Sequence, residues 1–173
     1  MSEQAPIFLV GPMGAGKTTV GRHLSRLLGR SFVDLDHEIE QSCGADIAWI
    51  FDVEGESGFR KRESAMLREV ASRNNMVIAT GGGAVLNSES RALMKRGGTV
   101  VYLLVAAKVL YSRMQQDTKR PLLQVGDKKA MIESIVKERE PLYKEVADII
   151  FDGQKKTPIV AAQELAVLIR QQV

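Results

Sequence analysis

The chain has 173 residues, 45% hydrophobic and 26% charged, which is enough for one full core and, by length, one domain. Its 24 basic and 21 acidic residues leave a net charge of +3 with no long block of one sign; this argues against nucleic-acid binding and suits an enzyme with anionic ligands. A single cysteine, Cys43, excludes an internal disulfide or thiolate metal site and fits a reducing cytoplasm, while no apolar run reaches the ~20 residues of a membrane helix and the start lacks the basic and apolar regions of a signal peptide.

Ile7 to Val10 reads as a short buried strand. It runs into Gly11-Pro12-Met13-Gly14-Ala15-Gly16-Lys17-Thr18, which fits G-x-x-x-x-G-K-[ST]. Val20, Leu24, Leu27 and Leu28 then recur at helical spacing, so a helix over about 17–28 is expected, closed by Gly29. Strand, glycine loop and helix together form a triphosphate cradle. The loop's N–H groups turn inward around phosphate, and the positive end of the helix points at the same anion. Lys17 reaches the outer phosphates and the Thr18 hydroxyl is placed to ligate Mg²⁺.

Ser31 to Asp36 alternates and is expected to be a second strand, with Asp34 and Asp36 on one side of its carboxyl end. Two carboxylates beside the phosphate loop suit catalysis or metal binding; the alternative is that they cap a helix over about 37–42. Residues 46–53 predict a short amphipathic helix, with Trp49 packing a small lobe. Gly55 to Gly58 predict a turn, and Phe59 opens a longer helix. Arg60 and Glu63 are spaced as an i,i+3 ion pair, and spacing alone does not single out Arg60.

Met76 to Thr80 is an apolar third strand ending in Gly81-Gly82-Gly83. Three glycines in succession cost chain entropy, which points to a close approach of backbone to a ligand or, alternatively, to a flexible turn. A helix is expected over about 88–96, a fourth strand over 99–105 and a helix over about 107–116. The basic loop from Asp117 to Asp127, broken by Pro121, reads equally as a lid carrying Arg120 or as an exposed connection. Helical spacing from Lys128 to Ala147 is interrupted by Pro141, which predicts a kink. Arg139, between Glu138 and Glu140, reads as a surface ion pair. Ile149 to Phe151 is a fifth strand. Thr157-Pro158 starts a last helix whose Ile159, Leu165, Leu168 and Ile169 are expected to dock on the sheet.

Alternating strands and helices after such a loop predict an α/β three-layer sandwich with a five-stranded parallel sheet and the P-loop NTPase fold. Within that class the sequence resembles the shikimate kinases, of the nucleoside-monophosphate-kinase-like group. The resemblance rests on GPMGAGKTT at 11–19, DLD at 34–36, GFRKRE at 58–63, TGGG at 80–83, KRPLL at 119–123 and EREPLY at 138–143. It implies one kinase domain over 1–173, with an acceptor lobe at about 36–62 and a lid at about 117–127. The implied reaction passes the γ-phosphate of ATP to the 3-hydroxyl of shikimate, with Mg²⁺, in a cytoplasmic monomer of aromatic amino acid biosynthesis with no nucleic-acid or membrane partner. In that resemblance Gly14, Ala15, Gly16, Lys17, Thr18 and Thr19 hold ATP, and Thr18 ligates the metal with Asp34 behind a water. Asp36 binds the acceptor hydroxyls and acts on the attacking one. Arg60 and Arg139 hold the carboxylate, the Gly82 backbone meets a ring hydroxyl, and Arg120 stabilises the phosphates. The stretch from Asp152 to Lys156, expected near adenine, matches the family only loosely. A gluconate kinase of the same fold and a GTPase-like switch are the rival readings; the chain has no N-K-x-D guanine motif.

Overall fold

A computed structural model describes residues 4–115 and 127–172. Its five strands form one parallel sheet in the order β2-β3-β1-β4-β5. They are β1 (Ile7–Val10), β2 (Ser31–Asp34), β3 (Met76–Ala79), β4 (Thr99–Leu104) and β5 (Ile149–Asp152). The helices are α1 (Lys17–Leu28), α2 (Leu35–Cys43), α3 (Ile47–Ala71), α4 (Ser88–Gly97), α5 (Ala107–Met114), α6 (Lys128–Val146) and α7 (Pro158–Gln171). A short 3-10 turn, Ala84–Leu86, follows the third strand.

Alternation along the strands divides the core between the two sheet faces. Ile7, Leu9, Val101 and Leu103 point to the face covered by α1, α5 and α7, while Phe8, Val10, Val100 and Tyr102 point to the face covered by α2, α3, α4 and α6. β1 and β3 are buried and apolar along their whole length, as strands covered on both faces require, while the edge strands β2 and β5 carry exposed and polar residues. The central strand, β1, has β3 on one side and β4 on the other. The chain therefore reverses its direction of progress across the sheet beside β1, and ligands of such sheets bind at the carboxyl ends near that reversal.

Several local expectations change on folding. β2 stops at Asp34, and Leu35 and Asp36 already belong to α2. The two acids thus do not share a strand face: Asp34 is the N-cap, its carboxylate accepting from His37 N, and Asp36 lies in the first helical turn. The turn predicted at Gly55 to Gly58 shrinks to one residue. Only Gly55 (φ 72°, ψ 177°) leaves helical geometry inside α3, and the helix resumes at once. Trp49 is 53% exposed and packs no lobe, because the inner face of that turn is taken by Ile50 and, past the break, Phe59. Pro141 does lie inside α6, as the spacing predicts, and on its exposed side, where water can reach the carbonyl its missing N–H leaves unbonded. In α7 the docked face is Ala161, Ala162, Leu165, Ala166 and Ile169, while Ile159 and Leu168 face outward. Thr157 caps that helix through Val160 N as expected.

Candidate active site

The glycine loop joins β1 to α1 at the centre of the sheet. Gly14 and Gly16 hold φ of 80° and 95°, values open to glycine, and Gly16 is the N-cap of α1. Lys17 is only 8% exposed, and its ammonium donates to the carbonyls of Gly11 (2.6 Å) and Pro12 (2.9 Å). The Thr18 hydroxyl donates to Asp34 Oδ2 at 2.6 Å. A hydroxyl and a carboxylate held together at the phosphate end of the loop are hard oxygen donors. They suit Mg²⁺, which takes one or two protein oxygens beside phosphates and water.

A cleft of about 680 Å³ opens over this loop; Lys17, Thr18, Thr19, Asp34, Asp36, Gly81 and Gly82 lie along it. A second cavity, over Gly14 to Gly16 and Thr19, runs between β4, β5 and the start of α7 and includes Arg113, Phe151, Gly153, Lys156 and Pro158. Its apolar strand residues with basic side chains at the rim suit a purine and its phosphates. Arg113 Nη1 donates to the Gly14 carbonyl at 3.0 Å, and Lys156 Nζ lies 5.0 Å from the centre of the Phe151 ring. The stretch that matched the family loosely therefore borders this cavity through Gly153 and Lys156. Arg113 escapes a reading by motif because α5 approaches the loop only in three dimensions.

A third cavity adjoins the first. Met13, Asp36, Gly81 and Gly82 line both, and beyond them stand Arg60, Glu63, Arg139, Ile47, Phe51 and Phe59. α3 supplies Arg60 and Glu63, α6 supplies Arg139, α2 supplies Asp36 and the turn after β3 supplies Gly82. Arg139 is not a surface ion pair: it is 4% exposed. Helical phase explains this, because Ile132, Ile135, Arg139, Tyr143 and Val146 lie on the inner face while the flanking acids turn outward. Arg60 Nη1 donates to Glu63 Oε1 at 2.8 Å, and its guanidinium lies over the Phe59 ring at 5.2 Å.

Among the described residues the Nε atoms of Arg60 and Arg139 are buried without a hydrogen-bond partner. Two guanidinium groups lining one small cavity suit an anionic acceptor. Glu63, 3% exposed, was visible in the sequence only as a spacing partner of Arg60. Burial pushes its carboxyl above the usual carboxylate range, against the pull of Arg60, Arg139 and Lys17.

The triple glycine has a reason of its own. A Cβ on Gly81 would stand 2.5 Å from Glu63 Oε2 and 3.0 Å from Asp36 Oδ1; one on Gly83 would stand 2.4 Å from both Arg60 terminal nitrogens; one on Gly82 would stand 3.1 Å from the Met13 amide nitrogen. The flanking glycines make room for side chains from α2 and α3, and the middle one lets the turn lie against the phosphate loop. Thr80 anchors the run to β1, its hydroxyl donating to the Leu9 carbonyl at 2.9 Å. Of the residues singled out in the sequence, these surfaces bring together Gly14, Ala15, Gly16, Lys17, Thr18, Thr19, Asp34, Asp36, Arg60, Gly82 and Arg139. Arg120 and the loop from Asp117 to Gly126 lie outside the described residues.

A family model described as shikimate kinase matches residues 13–170. A shikimate kinase of Pasteurella multocida (strain Pm70) is 51% identical over 170 residues, 98% of this chain and 97% of that protein. One from Histophilus somni (strain 2336) is 49% identical over the same shares of both chains. Among solved structures, a shikimate kinase from Acinetobacter baumannii in complex with shikimate matches with a TM-score of 0.95 and 47% identity, covering 98% of this chain and 94% of that one.

Proposed function

This chain belongs to the shikimate kinase family and phosphorylates shikimate with ATP in aromatic amino acid biosynthesis, and from that premise we propose how its own residues divide the work. The observation that carries the reading is the shared wall: Asp36 and Gly82 border both the phosphate cleft and the cavity of the two arginines. An acceptor held there presents an alcohol to the end of a triphosphate lying over Lys17.

Arg60 and Arg139, which line one cavity, hold the shikimate carboxylate. Asp36 accepts a hydrogen bond from the 3-hydroxyl and takes its proton as the oxygen attacks the γ-phosphorus. The new O–P bond forms as the bond to the bridging β–γ oxygen breaks, and ADP leaves with that electron pair. Lys17 moves from the loop carbonyls to the phosphate oxygens. Gly14, Ala15, Gly16 and Thr19 hold the phosphates through the loop and the helix start. Thr18, with Asp34 behind a water, holds Mg²⁺, which when bound neutralises charge on the β- and γ-phosphates. Arg120 supplies further positive charge from a lid at about 117–127. The chain is one kinase domain with its acceptor lobe at about 36–62, working as a monomer in the cytoplasm, a compartment its single cysteine suits.

The test is ADP release in a coupled assay with ATP and Mg²⁺. Turnover is expected with shikimate and at background level with gluconate or nucleoside monophosphates. Comparable rates with gluconate would overturn the acceptor assignment, and absence of turnover on removing Mg²⁺ with a chelator checks the metal.

A further inference from the structure

One buried contact at the sheet end takes no part in the roles above. The Tyr143 ring is 1% exposed and stacks on Tyr102 of β4, centroids 5.1 Å apart at 26°. Its hydroxyl donates to the Gly82 carbonyl at 2.5 Å. Arg139 precedes Tyr143 by one helical turn, so both side chains leave the same face of α6. Burial pushes the phenol pKa up and the Arg139 guanidinium beside it pulls the other way, so the phenol keeps its proton and remains a donor.

A phenylalanine would fill this space and make the same stack. The hydroxyl adds one thing, a bond to a peptide in a run where three glycines leave the backbone little to restrain it. That bond fixes the plane of the Gly82–Gly83 peptide, on the residue where an added Cβ would stand 3.1 Å from the Met13 amide nitrogen of the phosphate loop. We propose that Tyr143 is a positioning residue for the acceptor: it ties the glycine turn to the helix carrying Arg139, so that the guanidinium, the turn and the phosphate loop keep one spacing. This rests on the reading that Arg139 and the turn hold shikimate.

The experiment is Tyr143→Phe, with initial rates against shikimate and against ATP and a thermal melt. The shikimate KM is expected to rise about three- to tenfold, the range of one hydrogen bond to a substrate-facing group, with the ATP KM within about twofold. A shikimate KM that does not move, or an equal rise in both KM values, overturns the inference. Arg139→Ala run in parallel separates the two layers. If it too leaves the shikimate KM unmoved, the carboxylate reading fails. If it raises that KM while Tyr143→Phe does not, the positioning role alone falls. Should Tyr143→Phe melt early, 4-aminophenylalanine at 143 restores a donor; recovery of the shikimate KM is the expected result, and stability without that recovery overturns the proposal.

Discussion

Asp36 supplies the carboxylate shared by the cleft over the phosphate loop and the cavity of the two arginines. Asp36→Asn keeps the size and one acceptor oxygen of the side chain but removes its capacity to take a proton. Turnover is expected to fall by about 10²–10⁴, with the melting temperature little changed; a rate within about tenfold of the parent would reduce Asp36 to a binding group. Glu63 gives a second residue-scale outcome through pH. Its folded-state pKa lies above the ordinary value, so the folded form holds the proton where the unfolded chain has lost it. Stability from this source is present below the unfolded pKa and is lost as pH rises through the folded one. Melts of the parent and Glu63→Gln across acid to neutral pH should show the parent losing ground to the variant as pH rises; a difference flat with pH, or one that grows the other way, would deny Glu63 that raised pKa.

At the scale of elements, the joint between β1 and β4 is the most exacting. Thr99 N donates to the Pro6 carbonyl at 3.0 Å, and a Cβ on Gly98 would meet that same oxygen at 2.0 Å. Gly98 is extended (φ −177°), so space rather than dihedral angle demands glycine. Gly98→Ala is expected to cost about 2–3 kcal/mol, the range of an overpacked core, lowering the melting temperature while leaving both KM values unchanged; a variant as stable as the parent would show that the strand shifts freely. What was legible in the chain follows the same logic of local against distant causes. The phosphate loop, its helix and Gly29 at its end were readable because glycine chemistry and helical period act within a few residues. Asp34 does close β2 as read, and it also caps α2 as the alternative reading had it; only Asp36 was given to the wrong element, since an N-cap and a strand end look alike when an acid closes an apolar run. Burial of Arg139 was hidden by its acidic neighbours, which say nothing about which side of α6 meets the sheet. Trp49 misled for the reverse reason: aromatic size argues for a core, yet the phase of the helix turns it out.

For the molecule as a whole, the proposed roles put the two halves of the reaction on different parts of one sheet. The cavity proposed for the nucleotide is built on β1, α1, β4 and β5, and the one proposed for the acceptor on α2, α3, α6 and the turn after β3. Each ligand should therefore stabilise the fold separately, by about 2.7 kcal/mol at a hundredfold excess over its Kd. In Arg60→Ala the thermal shift with shikimate is expected to vanish and the shift with ATP to persist; joint loss of both shifts would show that the halves are not separable. The crowding of Gly81 and Gly83 by Glu63 and Arg60 carries a consequence for how this lineage can vary. Positions 63 and 81, and positions 60 and 83, are coupled: a methyl group gained at either glycine displaces the end of its charged neighbour, so the effect of changing one member depends on the other. On the proposed roles Arg60 cannot be shortened without losing its hold on the carboxylate, so the pair 60 and 83 should tolerate change less than the pair 63 and 81.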